Sequence, residues 1–299
     1  MTRLQQIKEF ERVNRRFEKK FMPKVQRAIH SQVKPVIRLL REDGFSAARS
    51  YLLKNVGNEE IAKVIRELYR SVGSKWAQIT YSRLLPETRG QKFNSLTLQQ
   101  KGFGFNYLWT QFILDYLKQF LLEKITFKIA ETTRDALLRV LSTATASGMS
   151  IDQTVDQLED WPYERFQAAR IVRTETNRAA NVGSTAQAET SKYEQQKEWQ
   201  SADDNRVRGN PVTGKKDHAD HFSLDGVKID ADDFFHDLRN GDQLQFPGDP
   251  NASAASSVNC RCHASYTLKR DSSGNLIPKR KSTSVIFPGQ TRQRQIITI

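Results

Sequence analysis

Cysteine is nearly absent from this chain: among 299 residues there are two, Cys260 and Cys262. A pair one residue apart offers no disulfide framework, and a bridge between them would close a small, strained ring. Long apolar runs are absent too. No window approaches the ~18 consecutive apolar residues of a membrane-spanning helix. The N-terminal stretch M-T-R-L-Q-Q-I-K-E-F-E-R is charged throughout and lacks the apolar segment of a secretory signal. These absences predict a soluble chain, made in a reducing cytoplasm, with no membrane partner. The commoner catalytic signatures are also missing. There is no phosphate-cradling glycine loop, no His-Glu-x-x-His and no Gly-x-Ser-x-Gly elbow, so the enzymatic case is thin. No helix-turn-helix, zinc-finger or basic–aromatic sheet signature points to sequence-specific DNA reading.

What is present is charge, unevenly spread. Residues 1–150 carry an excess of 14 positive charges, residues 151–268 an excess of 7 negative, and residues 269–299 an excess of 6 positive. The basic ends suit nucleic acid or an acidic protein surface, or serve only to keep helix faces solvated.

Periodicity predicts helices through the first 150 residues. Leu4, Ile7, Phe10, Val13, Phe17 and Phe21 recur every three or four positions between charged residues. Pro23 and Pro35 are expected to interrupt or kink this run. A second helix is expected over Ser46–Asn55, and a third from Asn58 towards Leu84. Pro86–Gly104, poor in pattern and rich in breakers, reads as a loop. An apolar-rich helix is expected from Phe105 to about Ala146. Ser150 then caps Ile151–Leu158, Trp161-Pro162 breaks the pattern, and a long helix covers Tyr163–Ser191. Beyond it, strand-like pieces at Lys197–Gln200, Val227–Ile229 and Cys260–Leu268 alternate with Gly/Pro/Asp/Asn loops. The fold class is α+β, with a basic helical region at 1–104, a domain at 105–268 whose core is 150–268, and a basic tail at 269–299. Its last residues, Gln295–Ile299, have the composition to add to a partner's sheet edge.

Four clusters in the second half could carry chemistry. Arg173, Glu175 and Asn177 lie on the strongest helix, with Arg170 one turn before Glu175. They read as a partly buried polar network tying that helix to downstream loops, or as a catalytic Glu with an Arg clamp. Trp199 precedes Asp204 and Arg206, an Asp-x-Arg step. There the carboxylate can hold backbone N–H groups while the guanidinium spans to another element. His218, His221 and Gly226 follow. Phe246-Pro247-Gly248-Asp249-Pro250 reads as a rigid turn ahead of Asn259-Cys260-Arg261-Cys262, with Asn259 and Arg261 expected to hold the loop against the strand.

Two thiols at one point raise a metal question. Zinc takes four soft or borderline ligands, usually with a Cys-x₂₋₄-Cys pair, and Cys-x-Cys is tighter than that. In a strand both sulfurs would face one side, His221 could be a third ligand, and His218 or His263 a fourth. Strand alternation, however, turns His263 away from the cysteines. Zinc is thus the cofactor the residues could hold, with two free thiols packed beneath the loop as the alternative.

In this order the four clusters resemble the C-terminal domain of the phage Mu F-like head-morphogenesis family, minor capsid proteins of tailed bacteriophages. The matching residues are Arg173-Thr174-Glu175; Trp199, Asp204 and Arg206; His221 with Leu224-Asp225-Gly226; and Pro247, Asp249 and Pro250 ahead of Asn259-Cys260-Arg261-Cys262. His221 is chosen over His218 by its distance from Gly226. The chain departs from the usual spacing by inserting Gly209–Lys216. The resemblance spans roughly residues 105–268 and is strongest from Ala169 to Cys262. It implies a non-enzymatic virion component of a phage or prophage, made in the host cytoplasm and placed at the portal vertex. Portal and other head proteins would be its partners, with a role in DNA packaging or ejection and non-specific contact with packaged DNA. A second expectation, from a different class, is a metal-dependent hydrolase, nuclease or toxin-related domain using Glu175, Asp204, His221 and the cysteine pair.

Overall fold

The computed structural model describes residues 1–55, 59–88, 103–118, 122–202 and 204–279, with side chains from 107 onward in the third segment. Among the described residues seven α-helices and five strands follow in order: α1 Arg3–Lys54, α2 Glu59–Thr88, α3 Phe103–Tyr116, α4 Leu122–Ala146, α5 Ile151–Glu159, α6 Pro162–Glu189, β1 Gln195–Gln200, β2 Lys228–Asp230, β3 Phe235–His236, β4 Gln243–Leu244, α7 Ala254–Ser257 and β5 His263–Leu268. The α+β class is as expected: helices first, then a small sheet region. No helix among the described residues is long and apolar enough to cross a membrane.

The chain forms two compact units that interleave along the sequence. One contains residues 1–14, 69–116 and 176–299, the other 15–68 and 117–175. The second unit is built around Val33, Val36, Leu40, Leu52, Leu137, Leu141, Val155 and Leu158. Their three- and four-residue spacing on α1, α4 and α5 is the pattern that predicted helices. Burial of these stripes also explains why Pro23 and Pro35 do not break α1. Tertiary packing of Phe21, Val25, Ile29 and Val33, all fully buried, outweighs two lost backbone bonds. The break falls instead at Gly44, whose φ of 79° is open to glycine without strain. The expected helix from 105 to 146 is covered by α3 and α4, with residues 119–121 outside the described residues. Ser150 does cap α5: its Oγ accepts from Gln153 N at 3.2 Å, and Gln153 Oε1 accepts from Ser150 N at 2.9 Å.

The first unit holds the sheet. Strand β1 lies between β2 and β5 and is antiparallel to both, with Lys197 opposite Ile229 and Tyr266. A two-stranded ribbon pairs β3 with β4. The N-terminal turns of α1 pack here as well: Phe10 stacks on His263 at 4.3 Å between ring centroids. Ser265 Oγ donates to Gln6 Oε1 at 2.7 Å. Helices α2 and α6 cross at Gly73 and Gly183, where a Cβ on Gly183 would stand 2.1 Å from the Gly73 carbonyl oxygen.

Two expectations are corrected in this unit. Strand β5 starts at His263, so both cysteines precede it. Residues 269–279, expected as the start of a basic tail, are paired with this unit. Lys269 N donates to Glu194 O, Lys279 N donates to Lys192 O, and Arg270 bridges to Leu276. The loop expected at 89–102 and the final Gln295–Ile299 lie outside the described residues.

Candidate metal centre

The loop containing Pro247 is fixed from helix α6. Arg178, buried, donates through Nε to Gly248 O at 2.9 Å, and Asn181 Nδ2 donates to Pro247 O at 2.9 Å. Asn181 reaches further: its Oδ1 accepts from Ala264 N at 2.9 Å, and its Nδ2 lies 3.4 Å from Cys262 O. One amide therefore ties the Pro-Gly-Asp-Pro loop to the segment entering β5. Gly248 has φ 83° and its backbone lies against Asn177, which explains a glycine in that turn. Asp249, almost fully buried, accepts from Gln245 N at 2.8 Å and Asn251 N at 2.9 Å. Burial still pushes its pKa up. Pro250 follows Asp249 within this buried turn.

Beneath the loop, Lys197 projects from β1 with 1% exposure. Its Nζ donates to Gln245 O at 2.8 Å and lies 5.5 Å from the centroid of the Phe235 ring. Burial lowers its pKa to about 8, because the ammonium gives up water and the charges of Asp232 and Asp233 offset that only in part.

The Asp-x-Arg step behaves partly as expected. Asp204 accepts from Arg206 N at 2.9 Å, but the Arg206 side chain folds back onto the same carboxylate at 2.8 Å. The guanidinium that spans is Arg261, which clamps Asp204 with two bonds, one of 2.7 Å from Nη2 to Oδ1 and one from Nη1 to Oδ2. That pairing holds the Asp204 carboxyl well below the usual carboxylate range. Arg208 donates to the carbonyls of Ser256 and Val258, immediately upstream of the cysteines. Asn259 turns the chain there with φ 56°, a left-handed conformation that asparagine tolerates. Gly226, φ 80°, closes the Leu-Asp-Gly turn by donating to Trp199 O at 2.8 Å, and Asp225 accepts from Ser201 N at 2.8 Å.

These ties bring His221, Cys260 and Cys262 together. All three are buried, at 1%, 2% and 3% exposure. His221 Nδ1 lies 3.7 Å from each sulfur, and the three candidate ligand atoms fall within 4.8 Å of one another. They form a group that could hold a metal ion. Trp199, fully buried, meets the His221 ring edge-on at 5.0 Å and Phe235 at 5.1 Å. Both thiols are free. The sulfur–sulfur hydrogen bond lowers the Cys260 pKa and raises that of Cys262, since the pair resists carrying two charges in a buried site.

Not every expected residue joins this centre. His218 is exposed, and His263 faces Phe10. Arg173 is exposed, so the network on α6 is carried by buried Arg178 and Asn181 instead. Glu175 is buried in the other unit. Sequence reasoning missed Arg178, Asn181 and Lys197. Their signals were present: Asn181 lies one turn after Asn177, and Lys197 shares a strand face with Gln195 and Trp199. Asp204, Asp225 and Asp249 are each committed to guanidinium, hydroxyl or backbone partners. Among the described residues no carboxylate joins the His–Cys–Cys ligand group.

The model of the family described as Phage Mu protein F like protein matches residues 135–265, a span that includes all of these residues. A curated relative, "Uncharacterized protein YqbB" of Bacillus subtilis (strain 168), is 28% identical over 142 residues. The match covers 45% of this chain and 43% of that protein, so less than half of the relative's length is spanned. No solved structure matches.

Proposed function

Because residues 135–265 are a Phage Mu protein F-like segment, we propose that this chain is a head-morphogenesis protein of a tailed phage or prophage. Its role would be that of a minor head component at or near the portal during assembly and DNA packaging or ejection. The observation that supports the reading is that the family-like clusters downstream of Arg173-Thr174-Glu175 meet in one place. Loop 246–250, Asp204 with Arg261, and the His–Cys–Cys trio are tied together by side chains committed to structural bonds. The hydrolase reading is not favoured, since Asp204 is clamped by Arg261 and Arg206. In this reading the trio is architectural, and zinc is the ion its donors suit.

Contact with packaged DNA has a candidate surface in the second unit. Within α1, Arg15, Arg16, Lys19, Lys20, Arg27, Lys34, Arg38 and Arg41 are all exposed. At 100° per residue they fall within a sector of about 140° and extend over ~39 Å of helix. That length is close to one turn of duplex DNA, ~34–36 Å. Glu18, the one acidic residue between 15 and 41, lies outside the sector. Lysines and arginines in a row neutralise phosphates without reading bases.

Two assays test the reading. The tagged chain should capture the portal protein of the same phage or prophage. It should also retain duplex DNA of any sequence, with affinity falling roughly a thousandfold or more between 50 and 200 mM salt if about six or more phosphates are neutralised. Capture of neither portal nor DNA by the folded chain would refute it.

A further inference from the structure

We propose that His221 Nδ1 and the sulfurs of Cys260 and Cys262 bind one zinc ion, a structural centre with three side-chain ligands that locks the histidine loop onto the segment entering β5. The proposal rests on the architectural reading of the trio but not on the assignment to a phage head. The first support is metric. A tetrahedral zinc with bonds of ~2.3 Å to sulfur and ~2.0–2.1 Å to nitrogen has nitrogen–sulfur edges of about 3.6 Å. Both observed nitrogen–sulfur distances are 3.7 Å. Both sulfurs therefore stand at the same distance from Nδ1, as two ligands of one ion would.

The second support is charge. Zinc would displace the two thiol protons to solvent, and two thiolates with a neutral imidazole cancel the dication. A neutral cluster is tolerable at 1–3% exposure, where an isolated ion is not. The third is rigidity around the ligands. Arg261 between the cysteines is clamped by Asp204, Arg208 holds Val258 O, and Asn181 reaches Cys262 O. The ligand-bearing backbone is therefore fixed from three directions before any ion arrives, as a structural site needs. With His218 exposed and His263 turned to Phe10, the fourth position falls to water or a backbone carbonyl.

The full chain, expressed in zinc-supplemented medium and dialysed against metal-free buffer, should carry one zinc per chain by elemental analysis. Replacement by cobalt(II) should give intense thiolate-to-cobalt charge-transfer bands with tetrahedral d–d absorption. Mercurial titration of the wild-type thiols should release the zinc in step with modification, a readout that needs no variant to fold. His221→Cys should keep the metal and strengthen the charge-transfer band, whereas a folded Cys260→Ser/Cys262→Ser double variant should lose both. His218→Ala should change nothing. A folded wild-type chain with no zinc and no cobalt spectrum would overturn the proposal, as would metal retained by the double-serine variant. Neither result depends on portal or DNA binding, so the two readings fail separately.

Discussion

Lys197 offers the sharpest test of the packing beneath the Pro-Gly-Asp-Pro loop. Its ammonium is buried on β1 with one carbonyl partner, Gln245 O, and its pKa lies at about 8 in place of 10.5. That gap corresponds to about 3 kcal/mol of native-state penalty while the lysine is charged in both states. The sign follows from proton counts. Between pH 8 and 10.5 the unfolded chain holds a proton that the native chain has released, so stability climbs with pH across that window. Below pH 8 both states are protonated and the full penalty is present. Lys197→Met removes the charge but strands the Gln245 carbonyl, at a cost of about 1 kcal/mol. At pH 7 the variant should therefore be about 2 kcal/mol more stable than the natural chain. At pH 10.5 it should be about 1 kcal/mol less stable, with the sign reversing in between. Urea unfolding of both proteins at matched pH values measures the difference, and other titrating groups cancel. A difference that stays constant from pH 7 to 10.5 would refute the reasoning.

Three further outcomes follow from the geometry. Gly183→Ala places a methyl 2.1 Å from the Gly73 carbonyl oxygen, so α2 and α6 must separate. A loss of about 3 kcal/mol is expected in denaturant unfolding, with no rescue from the better helix former. Asn181→Ala strands Ala264 N and the Pro247 carbonyl in a buried site. It should cost about 2–4 kcal/mol and speed amide exchange at Ala264, whereas Asn177→Ala should not do so. The part-exposed Asp204–Arg261 pair should show a coupling of about 1 kcal/mol in a double-mutant cycle at pH 7. Because the Asp204 pKa is depressed, that coupling is present above pH 4 and should fade in cycles repeated below it, as the carboxylate protonates.

Much of the fold was legible because it rests on local rules. The capping box at Ser150 and Gln153, the apolar stripes of α1 and α4, and the positions of β1 and β2 all follow from spacing and turn chemistry. Prolines misled where a buried stripe of Phe21, Val25 and Ile29 outweighed them. The candidate site was half legible. His221 with the two cysteines follows from residue type, and Asp204 from its turn. What sequence spacing could not supply was which arginine spans. Arg206 and Arg261 are equally good donors, and only the fold brings the latter to Asp204. Nor does any local pattern reveal that Phe10 meets His263, a contact made across most of the chain.

That last contact governs how the protein can be made. The unit that holds the sheet needs residues 1–14, and it also needs β5, whose pairing with β1 is fixed only once Leu268 exists. Residues 1–14 must therefore wait for residues made more than two hundred positions later, their apolar side chains uncovered meanwhile. Folding of that unit is thus governed by long-range closure. A bulky fusion ahead of Arg3 should disturb the far edge of the sheet as readily as the helix it precedes.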